Sequence, residues 1–177
     1  MFFRKEQNRD KIKIMKIKII SESPKETQKI ASFFTESMLK RGNFKKQEAL
    51  VVSLEGSLGS GKTEFLKGVA KFLQLKERIF SPTFLIMKSF PFFYPKSFLQ
   101  KRGFKTLWHL DCYRLKKIKD IKNLGFSEII EDPQNLIFVE WGNNIKKVLP
   151  KNCFVIKFKI SGDKERILEF NVPEEFN

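Results

Sequence analysis

The stretch Glu55-Gly56-Ser57-Leu58-Gly59-Ser60-Gly61-Lys62-Thr63 constrains this chain more than any other. Gly56, Gly61, Lys62 and Thr63 satisfy the pattern G-x-x-x-x-G-K-[ST] without a mismatch. In such a loop the glycines let the backbone curl until successive N–H groups face one concavity, which cradles phosphate oxygens. The lysine reaches the β- and γ-phosphates and the hydroxyl ligates Mg²⁺. Ala49-Leu50-Val51-Val52-Ser53-Leu54, just upstream, is a short apolar run that reads as a buried strand. Downstream, Phe65, Leu66, Val69, Ala70, Phe72 and Leu73 recur at helical spacing. A helix is therefore expected to open at the loop with its positive dipole end towards the phosphates. The expectation is a nucleotide-binding α/β protein.

Composition narrows the class. A chain of 177 residues suits one domain, and 41% hydrophobic with 31% charged residues is an ordinary globular balance. No apolar run approaches the roughly 20 residues of a transmembrane helix. The charged N-terminus, Met1-Phe2-Phe3-Arg4-Lys5, lacks the apolar core of a signal peptide, so a cytoplasmic protein without a membrane partner is expected. Cys112 and Cys153 fit no metal-ligand spacing and read as reduced, buried thiols. The formal charge of +15 points to an anionic partner such as nucleic acid. Against that, the lysines are scattered along the whole chain, and genomic base bias inflates Lys and Phe together.

Residues 1–14 read as a poorly ordered extension and 15–177 as a single domain. Met15 to Ile20 alternates as a first strand, and translation starting at Met15 is an open alternative to Met1. Ser23-Pro24-Lys25-Glu26 is a helix start: N-cap, proline at the first helical position, and a capping-box Glu. Ile30, Phe34 and Met38 then mark an apolar face, and Arg41-Gly42-Asn43 ends the helix. Ser81-Pro82-Thr83-Phe84 is a turn that offers two hydroxyls near the expected γ-phosphate-sensing segment, followed by a strand at Leu85-Ile86-Met87. Pro91 and Pro95 argue against a central strand or helix in the aromatic stretch from Phe90, which is read as an insertion over 90–104 folding back on the core.

Thr106 to Arg114 reads as a strand placing His109, Asp111 and Tyr113 on one face. His109, the only histidine, reads as a structural imidazole. Lys116–Leu124 and Phe126–Ile130 read as short helices broken at Gly125. Asn135-Leu136-Ile137-Phe138-Val139-Glu140-Trp141 is a buried parallel strand that delivers an acid at its C-terminal edge, where open α/β sheets bind ligands. Either Asp111 or Glu140 would serve Mg²⁺ and the other would position the attacking water. Phe154–Ile160 and Arg166–Phe170, joined by Ser161-Gly162-Asp163, form a terminal antiparallel hairpin near the sheet edge.

These segments in this order resemble the TsaE (YjeE) family from about Ser23 to Phe170. The resemblance rests on Glu26-Thr27, the loop from Leu54 to Thr63, Ser81-Pro82-Thr83-Phe84, His109-Leu110-Asp111-Cys112-Tyr113-Arg114-Leu115, Leu124-Gly125-Phe126 and Glu140-Trp141. It implies a P-loop NTPase fold: a three-layer α/β/α sandwich with a mostly parallel central sheet and a C-terminal antiparallel hairpin. It implies ATP and Mg²⁺ as cofactors, held by Gly56, Ser57, Leu58, Gly59, Ser60, Gly61, Lys62 and Thr63. Thr63 would lie on the metal, Asp111 at the Walker-B-like acidic position, and Glu140 where a Glu contacts Mg²⁺ and supports hydrolysis. Thr83 would belong to a switch-like loop, and Thr27 and Arg166 would lie around the nucleotide. The implied role is a weak, partner-dependent ATPase that restores a TsaB–TsaD complex for repeated threonylcarbamoyladenosine modification of tRNA, with tRNA touched indirectly or weakly.

The chain departs from the common pattern at Glu55 (usually Asp), at Gly142 (usually Pro) and in the 90–104 insertion. A small-molecule or nucleoside kinase on the same fold is the alternative, with Lys101 and Arg102 as the only lid candidates. A non-catalytic, nucleotide-gated binding module is a third. The absence of an Asn-Lys-x-Asp motif disfavours a regulatory GTPase, and length and the missing Ser-Gly-Gly signature disfavour an ABC-type subunit.

Overall fold

A computed structural model describes residues 13–41, 47–79, 86–91, 103–115 and 117–174. Seven strands form one sheet in the order β1-β7-β6-β2-β5-β4-β3, with β1 Ile14–Ser21, β2 Leu50–Gly56, β3 Met87–Pro91, β4 Thr106–Asp111, β5 Asn135–Glu140, β6 Phe154–Ile160 and β7 Arg166–Pro173. The four central strands β6, β2, β5 and β4 run parallel, while β1, β7 and β3 are antiparallel to their neighbours. Helices α1 (Pro24–Arg41) and α2 (Lys62–Leu73) cover one face. The other face carries α3 (Ile118–Lys122), α4 (Phe126–Glu131) and a 3₁₀ segment, Gly142–Val148. This is the expected α/β/α arrangement, with parallel pairing confined to the centre.

Residue type explains the layering. β2 and β5 are buried along most of their length, as strands covered on both faces must be, and their side chains feed two separate cores. Val52 and Leu54 point to the α1–α2 side, Val51 to the α3–α4 side. The first core is built on phenylalanine. Phe34 of α1 packs on Phe65 of α2, Phe154 of β6 and Phe170 of β7 at centroid separations of 5.9, 5.8 and 5.1 Å. Phe65 also meets Phe158 edge-on at 5.6 Å. Such tilted and edge-on pairs add about 0.5–1.5 kcal/mol each beyond the area they bury. Ser23 caps the helix as expected, Glu26 N donating to its Oγ at 3.2 Å, while the Glu26 carboxylate reaches one residue further back and accepts from Glu22 N at 2.7 Å.

One expectation needs correction. The strand expected at Leu85–Met87 instead begins at Met87 and continues through Phe90 to Pro91. Pro91 is tolerated because, among the described residues, β3 pairs only with β4 at the end of the sheet, where one side of the strand needs no donor. Of the 90–104 stretch, Phe90 lies in β3, and both it and Phe104 are buried in the first core. Residues 92–102, with Lys101 and Arg102, lie outside the described residues. The terminal hairpin lies near the sheet edge as expected, one strand in, because β1 pairs antiparallel along β7 from Ile14–Pro173 to Ser21–Arg166 and takes the edge itself. The segment after Trp141, unassigned from sequence, winds into the 3₁₀ turns that cover β2. Among the described residues no helix is long and apolar enough to cross a membrane.

Helices α1 and α2 meet at Gly68. A Cβ there would collide with the Gln28 carbonyl oxygen and the Ala31 methyl. Gly68→Val should therefore cost about 1–3 kcal/mol by overpacking, outweighing any gain in helix propensity. Urea unfolding followed by circular dichroism checks this, and an unchanged midpoint would contradict the tight crossing. Burial pushes the Cys112 thiol up to about 12, with Asp111 adding to the shift, and pushes Cys153 up to about 11, with Glu55 adding. Iodoacetamide at pH 8 should accordingly leave both thiols largely unmodified in the folded protein and alkylate both once it is unfolded, as mass spectrometry would read.

Candidate functional site

The loop between β2 and α2 forms because glycine occupies the positions that other residues resist. Gly56 has φ 153°, Gly59 φ 73° and Gly61 φ 101°. At Gly56 a side chain would also meet the Phe158 carbonyl oxygen of β6 at 2.5 Å, so neighbouring strand and loop backbones touch. No side chain caps α2: Gly61 stands at its N-cap position and leaves the first N–H groups of the helix for an anion. Ser60 Oγ is buried beside them with no hydrogen-bond partner. An uncapped helix start with an orphaned hydroxyl is the arrangement a bound phosphate would complete. Leu58, by contrast, is 74% exposed, so it offers the site its backbone rather than its side chain.

Lys62 is buried across the loop mouth. Its Nζ donates to the carbonyls of Gly56 and Ser57, both at 2.8 Å, and sits 4.1 Å from the ring centroid of Trp141. Burial lowers the ammonium below its ordinary range, and the charges of Glu140 and Asp111 pull it partly back up. Trp141 takes a left-handed conformation, φ 59°, immediately after β5, and its ring also packs on Tyr113 at 4.9 Å. Trp141 N donates to Leu54 O at 2.9 Å, which fixes that turn against β2.

The acids converge as well. Asp111 and Glu140 are register partners at the C-terminal ends of the parallel pair β4–β5. Glu140 is only 3% exposed, and its carboxylate is held from two other elements. The Thr63 hydroxyl at the start of α2 donates to both oxygens, at 3.0 and 3.1 Å. His109 Nε2 lies 3.1 Å from Oε1; because a carboxylate only accepts, this bond requires the imidazole proton on Nε2. Asp111 Oδ1 accepts from Tyr113 N at 3.0 Å. Among the described residues no three His, Cys, Asp or Glu side chains form a metal-ligand cluster. Two carboxylates and a hydroxyl are nevertheless the hard, sparse oxygen set that suits Mg²⁺, which keeps several waters and takes phosphate oxygens besides.

The remaining expected residues fall as follows. Arg166, at the start of β7, donates from Nε and Nη2 to Gly59 O at 3.3 and 3.2 Å, tying the hairpin to the loop. Thr27 is buried in the β1–α1 corner, its hydroxyl 2.8 Å from Ser21 Oγ and within 3.3 Å of Ser23 O. Ser21 is in turn the register partner of Arg166. Thr83, with Ser81 and Pro82, lies outside the described residues. Sequence reasoning assigned no site role to His109 or to the Lys62–Trp141 contact. The two-residue spacing from His109 to Asp111 was the available signal for the first, and the aromatic directly following Glu140 for the second.

A glycine loop, a buried lysine, a helix-start hydroxyl and two strand-end acids gathered at the C-terminal edge of a parallel sheet define an α/β fold of the P-loop class. Comparison with known proteins narrows it. The model of the family described as "Threonylcarbamoyl adenosine biosynthesis protein TsaE" matches residues 21–168. The Bacillus subtilis tRNA threonylcarbamoyladenosine biosynthesis protein TsaE is 34% identical over 148 residues, which is 84% of this chain and 80% of that protein. The Treponema pallidum protein of the same name is 32% identical over 68% of this chain and 80% of its own length. The crystal structure of Bacillus subtilis YdiB superposes with a TM-score of 0.65 at 28% identity, covering 91% of this chain and 88% of that one. The chain belongs to the TsaE family, whose part is in tRNA threonylcarbamoyladenosine biosynthesis.

His109→Ala would leave Glu140 buried with one partner fewer, and should lower stability by about 1–3 kcal/mol. His109→Gln, which keeps an N–H donor, should recover part of the loss in the same urea titration. Equal stability of His109→Ala and wild type would show that the buried pair carries no weight.

Proposed function

We propose that this protein is a Mg²⁺-dependent ATPase that supports repeated turnover of a TsaB–TsaD complex in threonylcarbamoyladenosine modification of tRNA. The observation that carries the reading is the hydrogen bond that the Thr63 hydroxyl shares between the two Glu140 carboxylate oxygens. It joins the phosphate-binding loop to the acid of β5 and leaves the Thr63 oxygen lone pairs free to face a cation. Thr63 and Asp111 would hold Mg²⁺, which would supply positive charge to offset the negative charge that develops on the transferred phosphoryl group.

The chain's own groups supply the rest. The α2 N-terminus and the loop amides would hold the β- and γ-phosphates, with Ser60 Oγ gaining the partner it lacks. Lys62 would leave the Gly56 and Ser57 carbonyls for the phosphate oxygens, exchanging neutral acceptors for charged ones. Glu140 would orient an attacking water and accept its proton, steadied by His109 and Thr63, which meet at its Oε1. Asp111, beside it in register, would serve the cation. Arg166 would keep the loop in shape through Gly59 O. TsaB and TsaD enter as the partners the family implies.

The test is a multi-turnover tRNA modification assay with TsaB and TsaD, following ATP loss in parallel. Wild type should raise turnover. Lys62→Ala should lose ATP binding by more than tenfold, because the buried ammonium has no substitute. Glu140→Gln should bind ATP as wild type does and lose hydrolysis by about 10²–10⁴-fold, the usual weight of a general base. Undiminished phosphate release by Glu140→Gln would remove that residue from the mechanism. Wild type that binds ATP without effect on modification would remove the tRNA role.

A further inference from the structure

The ribbon β1–β7–β6 has two unlike faces. Met15, Ile17 and Ile19, with Phe154, Phe170 and Val172, turn towards α1. Strand alternation sends Lys16 and Lys18 of β1, Glu169 and Asn171 of β7, and Lys157 and Lys159 of β6 to the opposite face. Register then lines them up: Lys18 lies opposite Glu169 and Glu169 opposite Lys157, in one row across three strands. Lys159 Nζ bonds Glu169 Oε1 at 2.8 Å. That bond, with the charges of Lys159, Lys18 and Lys157, holds the Glu169 carboxyl below its usual range, so all four groups share one surface.

All four lysines are exposed. The helical layer on this side of the sheet packs over β2, β4 and β5, and its core contains no described residue of β1 or β7. Three lysines around Glu169, with Lys16 opposite Asn171, thus form a basic face that no described residue covers, on a chain of net charge +15. Lysines on an edge strand guard against edge-to-edge pairing, and β1 is an edge. That explanation stops at β1. Strand β6 is paired on both sides, by β7 and β2, so Lys157 and Lys159 guard no edge.

We propose that this face of the β1–β7–β6 ribbon binds the phosphate backbone of RNA, with tRNA as the partner. Lysines two residues apart on a strand stand roughly 6.7 Å from one another, and the β1 and β6 rows are separated by two strand spacings, about 10 Å. A repeating, rigid polyanion meets such a grid of point charges at several places at once, whereas a flexible acidic peptide must be ordered to do so. No aromatic side chain lies among these positions to stack on a base, so binding is to backbone and tolerates any sequence. The choice of tRNA among RNAs rests on the function proposed above; the basic face does not.

The experiment titrates a fluorescein-labelled, unmodified tRNA transcript with the full chain between 50 and 200 mM KCl, reading anisotropy. Each phosphate contact contributes a slope of about 0.7–0.9 in log affinity against log salt. Joint replacement Lys16→Gln, Lys18→Gln, Lys157→Gln and Lys159→Gln should weaken binding at least tenfold and flatten the salt slope by about 2–3. The single reversal Lys157→Glu should weaken it in the same direction. A charge-matched control, Lys25→Gln, Lys29→Gln, Lys40→Gln and Lys71→Gln, alters the α1–α2 side and should stay within twofold of wild type. Equal losses in the two quadruple variants would reduce the effect to overall charge and overturn the proposal. So would tRNA affinity unchanged in the ribbon variant, or a loss confined to phosphatidylserine vesicles or to TsaB and TsaD. ATP binding, measured on the same samples, should be unaffected by the ribbon changes. Its absence from wild type would defeat the ATPase reading and leave the RNA result to be judged by itself.

Discussion

A carboxylate removed from water must be compensated where it lies, and Glu140 sets that condition for the centre of this fold. Its oxygens are answered by Thr63 from α2 and His109 from β4, while its backbone belongs to β5. Three elements distant in sequence therefore have to arrive together. The parallel register β4–β5 brings His109 within reach by placing Asp111, two residues on, opposite Glu140. The β2–β5 register pairs Leu54 with Glu140, so the loop that leaves β2 begins at the level of the acid. A slip of one residue in either pairing would turn these side chains to the other face. The charge is costly to bury and thereby specifies the alignment of the sheet around it.

The flanks obey a different rule. Where the central strands are covered on both faces, β1, β7 and β6 alternate, with phenylalanine and aliphatic residues towards α1 and a mixed outward face in which Ile14, Ile20, Ile167 and Val155 stand among polar residues. The composition looked like base-bias excess, yet Phe34, Phe65, Phe154, Phe158 and Phe170 form one interlocked cluster that mounts α1 and α2 on the sheet. This cluster holds α2, and hence Thr63 and Lys62, at a fixed height over the strand ends.

Much of this was legible in the order of residues because local signals were strong. The glycine loop, the helix cap at Ser23, the break at Gly125 and the hairpin around Gly162 each depend on chemistry within a few positions, and each stands where it was read. What escaped depends on contacts between distant segments. Nothing near Met15 announces that β1 will pair with β7 and seal the edge; that choice is made by Val172, Phe170 and Leu168 at the far end of the chain. The shift of β3 onto Met87–Pro91 likewise follows from pairing with Leu110 through Thr106. His109 read as structural, and what revealed its link to the site was the burial of Glu140, which a list of residues does not display. Gly142 is informative in the same way: a side chain there would strike Ser53, so the position after Trp141 is set by a strand nearly ninety residues upstream.

Lys62 has a further meaning for affinity. Two carbonyl oxygens and an indole face already satisfy its ammonium. In the nucleotide-binding reading proposed above, an incoming anion would not meet a bare charge; it would compete with the loop's own acceptors and have to release the lysine from them. Net affinity at this position would then be a difference between two hydrogen-bonded arrangements of one buried ammonium. Ligands offering one weak neutral acceptor would gain little from that exchange, whereas charged phosphate oxygens would make the stronger bonds.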